Sequence, residues 1–408
     1  MWVRLRRAMS RFTSLRLIMG PVGLFAVAHF VHHLSTAIHV PLMPFIRSDL
    51  GLDYLKAGAL VSAFSIPYGI AQLPTGVLAD RLGQRLVMSL GFVAMAAWAV
   101  AIGLSQNYLQ LAVLLGLLGI CGGTYHPTAP SLISRIVPRR ERGQAMGLHL
   151  AGGSSSFFIA PIFAGLLAAA VGWRGAFLAV AAPTLLAGLL LWRLVRPVEV
   201  ARSTVSAGTE ERVGLRQTMG MVGAFIFIGL LANVVGTSIV SFFSLYLVDK
   251  HGLQPTHASM ILALVYGSGL IAAPIGGALS DRVGREPLIV VACLLTPLSV
   301  LLLTAVPFGL GLLLITALLG VSLTTRSAVI EALMMDRVPP TRRASILGIY
   351  FFLSMESSSV LTPGTGYLID RVGADTTFRL LALVVLAATV LFTARLIWRR
   401  GRRPLPPG

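Results

Sequence analysis

The sequence predicts an all-α polytopic membrane protein, with twelve transmembrane helices arranged as two pseudo-symmetric six-helix bundles. Three observations carry that expectation. The 408 residues are 56% hydrophobic and only 12% charged, with a mean hydropathy of +0.83, outside the range of a soluble domain. The apolar residues fall in runs of about twenty, the length that crosses hydrocarbon as a helix. Finally, "GVLADRLGQRLVM" at 76–88 returns as "GALSDRVGREPLI" at 277–289, so the chain repeats itself.

The runs lie near 17–43, 57–79, 86–105, 109–135, 143–170, 175–195, 218–247, 257–280, 287–306, 309–335, 343–369 and 376–397. The formal charge of +18 invites a nucleic-acid reading, but the arginines sit in short breaks between the runs rather than on one soluble face. With both termini in the cytoplasm, 26 of the 33 Lys and Arg residues fall on the cytoplasmic side. The opposite side holds Arg47, Lys56, Arg174, Lys250, Arg371 and Arg379, and Arg326 lies within a span. This asymmetry is the positive-inside rule, and it predicts a multi-pass protein of a bacterial-type inner membrane, with no nucleic acid among its partners.

The opening segment has the basic start, apolar run and small-x-small "AVA" of a signal peptide. Cleavage there is not expected, because the apolar run continues to Phe45 and its loss would leave an odd number of crossings. Cys121 and Cys293 both fall inside runs, so no disulfide framework is expected. The polar stretch 196–217 reads as a cytoplasmic linker between an N-terminal bundle, 1–195, and a C-terminal bundle with a basic tail, 218–408. The halves align further: "VPRRERGQAMG" faces "VPPTRRASILG", and Gly165, Gly172 and Phe177 face Gly366, Gly373 and Phe378, all at an offset of 201 positions. Parallel repeats of this kind are an alternating-access architecture.

On these residues the chain resembles the major facilitator superfamily over essentially its whole length, and the resemblance implies the major facilitator fold with a binding cavity between the halves. Gly76, Asp80, Arg81, Gly83 and Arg85, with Leu78, resemble the superfamily's signature loop, and Asp281, Arg282 and Gly284 repeat it. The expected role is gating: the glycines allow a tight turn, while the carboxylate latches cytoplasmic helix ends through a helix N-terminus or an arginine.

A narrower resemblance is to the fosmidomycin-resistance type of efflux carrier. It rests on "AHFVHHLSTAIHVPLMPFIRSDLGL", on Gly122, Gly123, Tyr125, His126 and Pro127, and on "GQAMGLHLAGGSSSFFIAPIFAG". Span five also resembles the antiporter signature, with Gly147, Ser156, Ala160, Pro161, Ala164 and Gly165 at its positions. Each substituted position keeps a small residue, so Gly147, Pro161 and Gly165 are expected at helix contacts. The arginine typical of many drug and proton antiporters is missing, since Leu115 precedes Gly119; protons must then titrate another group.

Ionisable residues within spans are costly, so each is a functional candidate. His29, His32 and His33 lie mid-span, with His29 and His33 one turn apart. His126 follows on span four, His149 on span five, Arg326 on span ten and Glu356 on span eleven. Glu356 and His126 are the expected proton-coupling groups. His29, His32, His33, Tyr125, His126, Arg326 and Glu356 are the expected substrate contacts, with Arg326 as the natural partner of Glu356. Arg135, Glu331 and Asp336 sit toward cytoplasmic ends, where latching or snorkelling is expected. The H-x-x-H-H spacing suits a transition metal, but no acidic or thiol ligand lies nearby in sequence, so no metal site and no cofactor are expected.

No G-x-x-x-x-G-K-[ST] occurs, and no nucleophile stands out with a base and an orienting partner. The expectation is a monomeric secondary active transporter, not an enzyme, that exports a small organic compound by proton antiport. Uptake of an organic anion is the alternative; a divalent-metal carrier or a non-transporting scaffold comes behind it.

Overall fold

The computed structural model describes residues 20–195, 215–338 and 340–401. Among them there are helices and short turns and no strand. The expected linker at 196–217 falls largely outside the described residues, as do the basic N-terminal segment and the last residues of the tail.

In chain order the helices are α1 Pro21–Ala37, α2 His39–Leu50, α3 Tyr54–Leu82, α4 Gln84–Gly103, α5 Tyr108–Gly122, α6 Tyr125–Ile136, α7 Arg142–Leu194, α8 Leu215–His251, α9 Pro255–Val283, α10 Arg285–Ala305, α11 Leu310–Arg337, α12 Pro340–Val372 and α13 Ala374–Gly401. Among the described residues, nine segments are long and apolar enough to cross a membrane. They count α1 with α2 as one segment, α5 with α6 as another, and the 53-residue α7 once. A lipid-embedded backbone must satisfy its own polar groups, which is why such a chain is helical throughout.

The helix breaks are chemically encoded. Pro41 has no N–H for the carbonyl of Ala37, so α1 ends there and α2 starts anew. His39 Nδ1–H donates to the Thr36 carbonyl at 2.9 Å and takes up part of what the break frees. Likewise Pro127 leaves the Gly123 carbonyl without its helical donor, and α5 gives way to α6 across Gly123 and Thr124. Thr124 Oγ1–H donates to the Cys121 carbonyl at 2.7 Å, and Thr128 Oγ1–H to the Thr124 carbonyl at 2.7 Å. Inside α7 the chain turns at Gly172, whose φ of +75° is a left-handed conformation that favours glycine.

Positive-φ residues among those described are all glycine: Gly51, Gly83, Gly172, Gly252, Gly284 and Gly373. They form three pairs, 51 with 252, 83 with 284 and 172 with 373, each at the offset of 201 positions seen in the sequence repeat. The repeat is therefore a repeat of backbone turns.

The chain forms two compact units. The first takes in Met1–Leu52, Ala59–Ser206 and Leu253–Ala263; the second takes in Asp53–Gly58, Ala207–Gly252 and Leu264–Gly408. The core of the first is a layer of α1, α4, α6 and α7 side chains, including Phe25, Ala28, Met88, Phe92, Tyr125, Leu132 and Ala187, all buried. Small residues let α7 pack closely: Ser156, Ala160, Ala164 and Gly165 are buried, and a Cβ on Gly165 would lie 3.0 Å from the Thr256 carbonyl oxygen. Gly147 differs from expectation. A Cβ there would meet no heavy atom within 4 Å, because Gly147 lies off the face of α7 that carries buried Ala145 and His149, so Gly147 is not a contact.

Candidate functional site

In the first unit, five imidazoles gather from three helices. His29 and His33 share a face of α1 with ring centres 4.8 Å apart. His126, just beyond the α5–α6 break, stands 5.4 Å from His29, 5.4 Å from His32 and 5.3 Å from His33. From α7, His149 stacks on His29 at 4.2 Å. Tyr125 stacks on His32 at 4.6 Å and donates its hydroxyl to the Phe25 carbonyl at 3.0 Å. His29, His32, His149 and Tyr125 are buried, whereas His33 and His126 are half-buried.

Hydrogen bonds orient these rings. His29 Nδ1–H donates to the His149 carbonyl at 2.9 Å, leaving its Nε2 buried without a partner. His32 Nε2 is 3.2 Å from the Tyr68 hydroxyl, and its Nδ1 is buried and unpartnered. Gly153 is required by packing here, since a Cβ would sit 2.5 Å from His29 Cε1 and 2.6 Å from its Nε2. The predicted group of His29, His32, His33, Tyr125 and His126 is thus one cluster. Sequence reasoning left out Tyr68 and Phe157, whose ring lies 4.4 Å from that of His33, and named His149 without assigning it to the site.

The second unit carries a different polar centre. Arg326 on α11 is 1% exposed; Nη1–H donates to the Gly229 carbonyl and Nη2–H to Asn233 Oδ1 at 2.9 Å. Asn233 Nδ2–H donates to the Ser354 carbonyl at 3.1 Å, and Thr237 Oγ1–H to Ser358 Oγ at 2.7 Å. Asn233 was missed, although an amide inside the apolar run "LLANVV" was the available signal, because polar groups join helices in lipid.

The expected Arg326–Glu356 pair does not form; among the described residues no ion pair joins them, and Glu356 Oε1 is buried without a partner. The reason is helical phase. Ser354 and Ser358 turn toward α8, and Glu356, two residues from each, lies about 200° around α12. Arg326 instead directs Nη1–H and Nη2–H to the carbonyl and amide of α8, and its Nε–H is buried without a partner.

At the predicted gating turns, Gly83 and Gly284 take φ of +93° and +95° between α3 and α4 and between α9 and α10. Gly76, Asp80 and Arg81 precede the first turn; Asp80 and Arg81 are exposed, and among the described residues Asp80 makes no ion pair. Arg85 packs over the Trp192 ring at 4.1 Å and donates to the Val195 carbonyl at 3.1 Å. In the second turn Asp281 pairs with Arg285 at 2.5 Å, and Arg285 also reaches Asp336 at 3.0 Å. Arg282 is exposed there.

The comparisons agree with this architecture. The family model described as the Major Facilitator Superfamily matches residues 25–363 and 225–408. A hexuronate transporter of Bacillus subtilis (strain 168) is 26% identical over 385 residues, 86% of this chain and 88% of that protein. The multidrug resistance protein MdtG of Enterobacter lignolyticus (strain SCF1) is 31% identical over 296 residues, 70% of each chain. Among solved structures, a bacterial homologue of the human lysosomal transporter Spinster superposes with a TM-score of 0.78 at 16% identity, covering 91% of this chain and 95% of the other. A D-xylose–proton symporter gives 0.76 at 15% identity, with 91% and 96% covered. The chain belongs to the major facilitator superfamily: it is a multi-pass membrane transporter and not an enzyme.

Proposed function

We propose that this transporter exports a small organic compound in exchange for protons, by alternating access, from a bacterial-type inner membrane with both termini in the cytoplasm. We take it to act as a monomer, with the bilayer, its substrate and protons as its partners and no nucleic acid. The observation that carries the reading is the gathering of five imidazoles from α1, α6 and α7 inside the apolar unit. Such a group is costly in a membrane unless it functions, and imidazole is the side chain that gains and loses protons near neutrality. Half-buried His126 and His33 are the contacts through which substrate and proton meet. The similarity to MdtG supports the outward direction. Glu356 is a second proton candidate on the strength of its unpartnered, buried Oε1.

A second reading, uptake of an organic anion, draws on Arg326, a buried guanidinium with no carboxylate partner among the described residues, and on the similarity to the hexuronate transporter. A guanidinium forks onto carboxylate oxygens.

Reconstituted liposomes separate the two. With candidate compounds inside and an imposed pH gradient, proton exchange gives gradient-driven flux that His126→Gln abolishes while downhill exchange persists. Glu356→Gln, which strands no arginine, stays folded and reports whether that carboxyl shares the coupling. Flux that ignores the gradient, yet is lost in Arg326→Gln and specific to anions, replaces the first reading with the second.

A further inference from the structure

We infer that His29, His33 and His126 form a binding site for one divalent ion of the late first transition row, with a fourth position left open. The inference concerns the same cluster as the proposed function and goes beyond it, because a proton site needs neither a fixed triangle of rings nor a set of converging lone pairs.

The geometry comes first. The three rings form a nearly equilateral triangle, with centres 4.8, 5.4 and 5.3 Å apart, and one candidate nitrogen from each lies within 4.8 Å of the other two. A tetrahedral ion sits about 2.0–2.1 Å from each imidazole nitrogen. With the ring centre about 1.1 Å behind that nitrogen, three rings around one ion have centres about 5 Å apart. The rings are already at this spacing.

The outer shell comes next. A metal-bound histidine usually donates its other ring N–H to a carbonyl or carboxylate, which fixes the tautomer and aims the lone pair. His29 does this through Nδ1–H to the His149 carbonyl at 2.9 Å, and the Nε2 so presented is buried with no partner. Gly153 makes room for that ring edge. His33 and His126 are half-buried, so the triangle is not sealed on their side.

The donor set selects the ion. Three nitrogens and no thiolate or carboxylate suit zinc, cobalt or nickel over magnesium or calcium, which require oxygen. Three neutral ligands also leave the ion's charge uncompensated, so the open position favours water or an anionic oxygen. The sequence pointed away from metal because no acidic or thiol ligand lies near the H-x-x-H-H of α1; folding supplies a third imidazole instead, from α6.

The test uses the full chain, purified in detergent, stripped with chelator and freed of any oligohistidine tag. Titration with Co2+ is expected to give one equivalent bound, with the visible absorption of a four-coordinate site, displaced by Zn2+. His33→Gln and His126→Gln are each expected to weaken Co2+ binding at least about tenfold. His39→Gln, a buried histidine outside the triangle, leaves it unchanged. Size-exclusion profiles and melting midpoints confirm that every variant is folded. Absence of cobalt absorption at millimolar Co2+ in the folded protein overturns the site, as does binding that survives both Gln substitutions. The proposed function fails separately: pH-driven flux from chelator-treated protein preserves that reading whatever cobalt does, and cobalt binding without such flux preserves only the metal site.

Discussion

Tyr125 in the first unit and Arg326 in the second stand at the same position of the repeat, 201 residues apart, and so do their neighbours His32 and Asn233. Both long side chains reach a carbonyl of the helix that opens their half, Tyr125 that of Phe25 and Arg326 that of Gly229. Both also touch the neighbour on that helix, by ring stacking in one case and a charge-assisted hydrogen bond in the other. The repeat has kept the slot and changed its chemistry. One half holds a set of protonatable rings, and the other a permanent cation served by neutral acceptors.

The same lesson appears at the helix ends. Asp49 pairs with Arg174 at 2.6 Å, and at the repeat-equivalent positions Lys250 pairs with Asp375 at 2.8 Å. The bridge survives with its polarity reversed, so the fold requires a link there and is indifferent to which side carries which sign.

The difference between the two slots is largest where a buried charge loses an acceptor. Asn233→Leu removes one of the two acceptors of a buried guanidinium and is expected to cost about 2–3 kcal/mol, whereas Tyr125→Phe removes one neutral hydrogen bond and costs about 1 kcal/mol. Melting of both variants in one detergent measures the gap; equal losses refute the claim that charge distinguishes the halves.

Next in size is the glycine that backs the imidazoles. Position 153 is glycine where its repeat partner, 354, is serine. Gly153→Ser forces an added Cβ against the His29 ring and is expected to cost about 1–3 kcal/mol. Ser354→Gly, on the polar centre's side, is expected to cost less. A stable Gly153→Ser protein with its ligand-induced stabilisation intact removes His29 from the site.

The reversed bridge gives the smallest effect and the sharpest test. Asp49→Lys or Arg174→Asp alone places like charges together at a partly exposed site and costs up to about 1 kcal/mol. The double swap, Asp49→Lys with Arg174→Asp, reproduces the polarity of the second unit and is expected to recover most of that loss. A double mutant no more stable than the sum of the two singles shows that the two bridges are not equivalent.

Hydropathy made the helices legible, because a lipid-facing segment has no other way to satisfy its backbone. It marked the hydrocarbon zone rather than the helix ends: the run near 57–79 is the interior of Tyr54–Leu82. The break before Tyr125 was legible in Pro127, which breaks a helical hydrogen bond, but the break before His39 was legible only in retrospect, through Pro41, since a run of apolar residues reads the same whether its helix is whole or interrupted. The imidazoles of α1 were visible as a motif and His126 as a candidate contact beside them, but nothing in one dimension says that His149 stacks on His29. The pairing of Arg326 with Glu356 failed for a related reason. Depth in the membrane can be counted along a helix, but which neighbour a side chain faces depends on a rotational phase that only packing fixes.

The single-glycine turns at Gly83 and Gly284 bear on how neighbouring helices are joined. In the first, Gly83 donates its N–H to the Ala79 carbonyl at 2.9 Å and accepts from Val87 at 3.2 Å; in the second, Gly284 donates to the Ser280 carbonyl at 3.0 Å. Each turn therefore interrupts the helical ladder at one residue only, and its φ of +93° or +95° is a conformation that a side chain would strain. α3 with α4, and α9 with α10, are thus held by the same one-residue joint in each half of the repeat, so that a Cβ added at 83 or 284 acts on both arms of its pair at once.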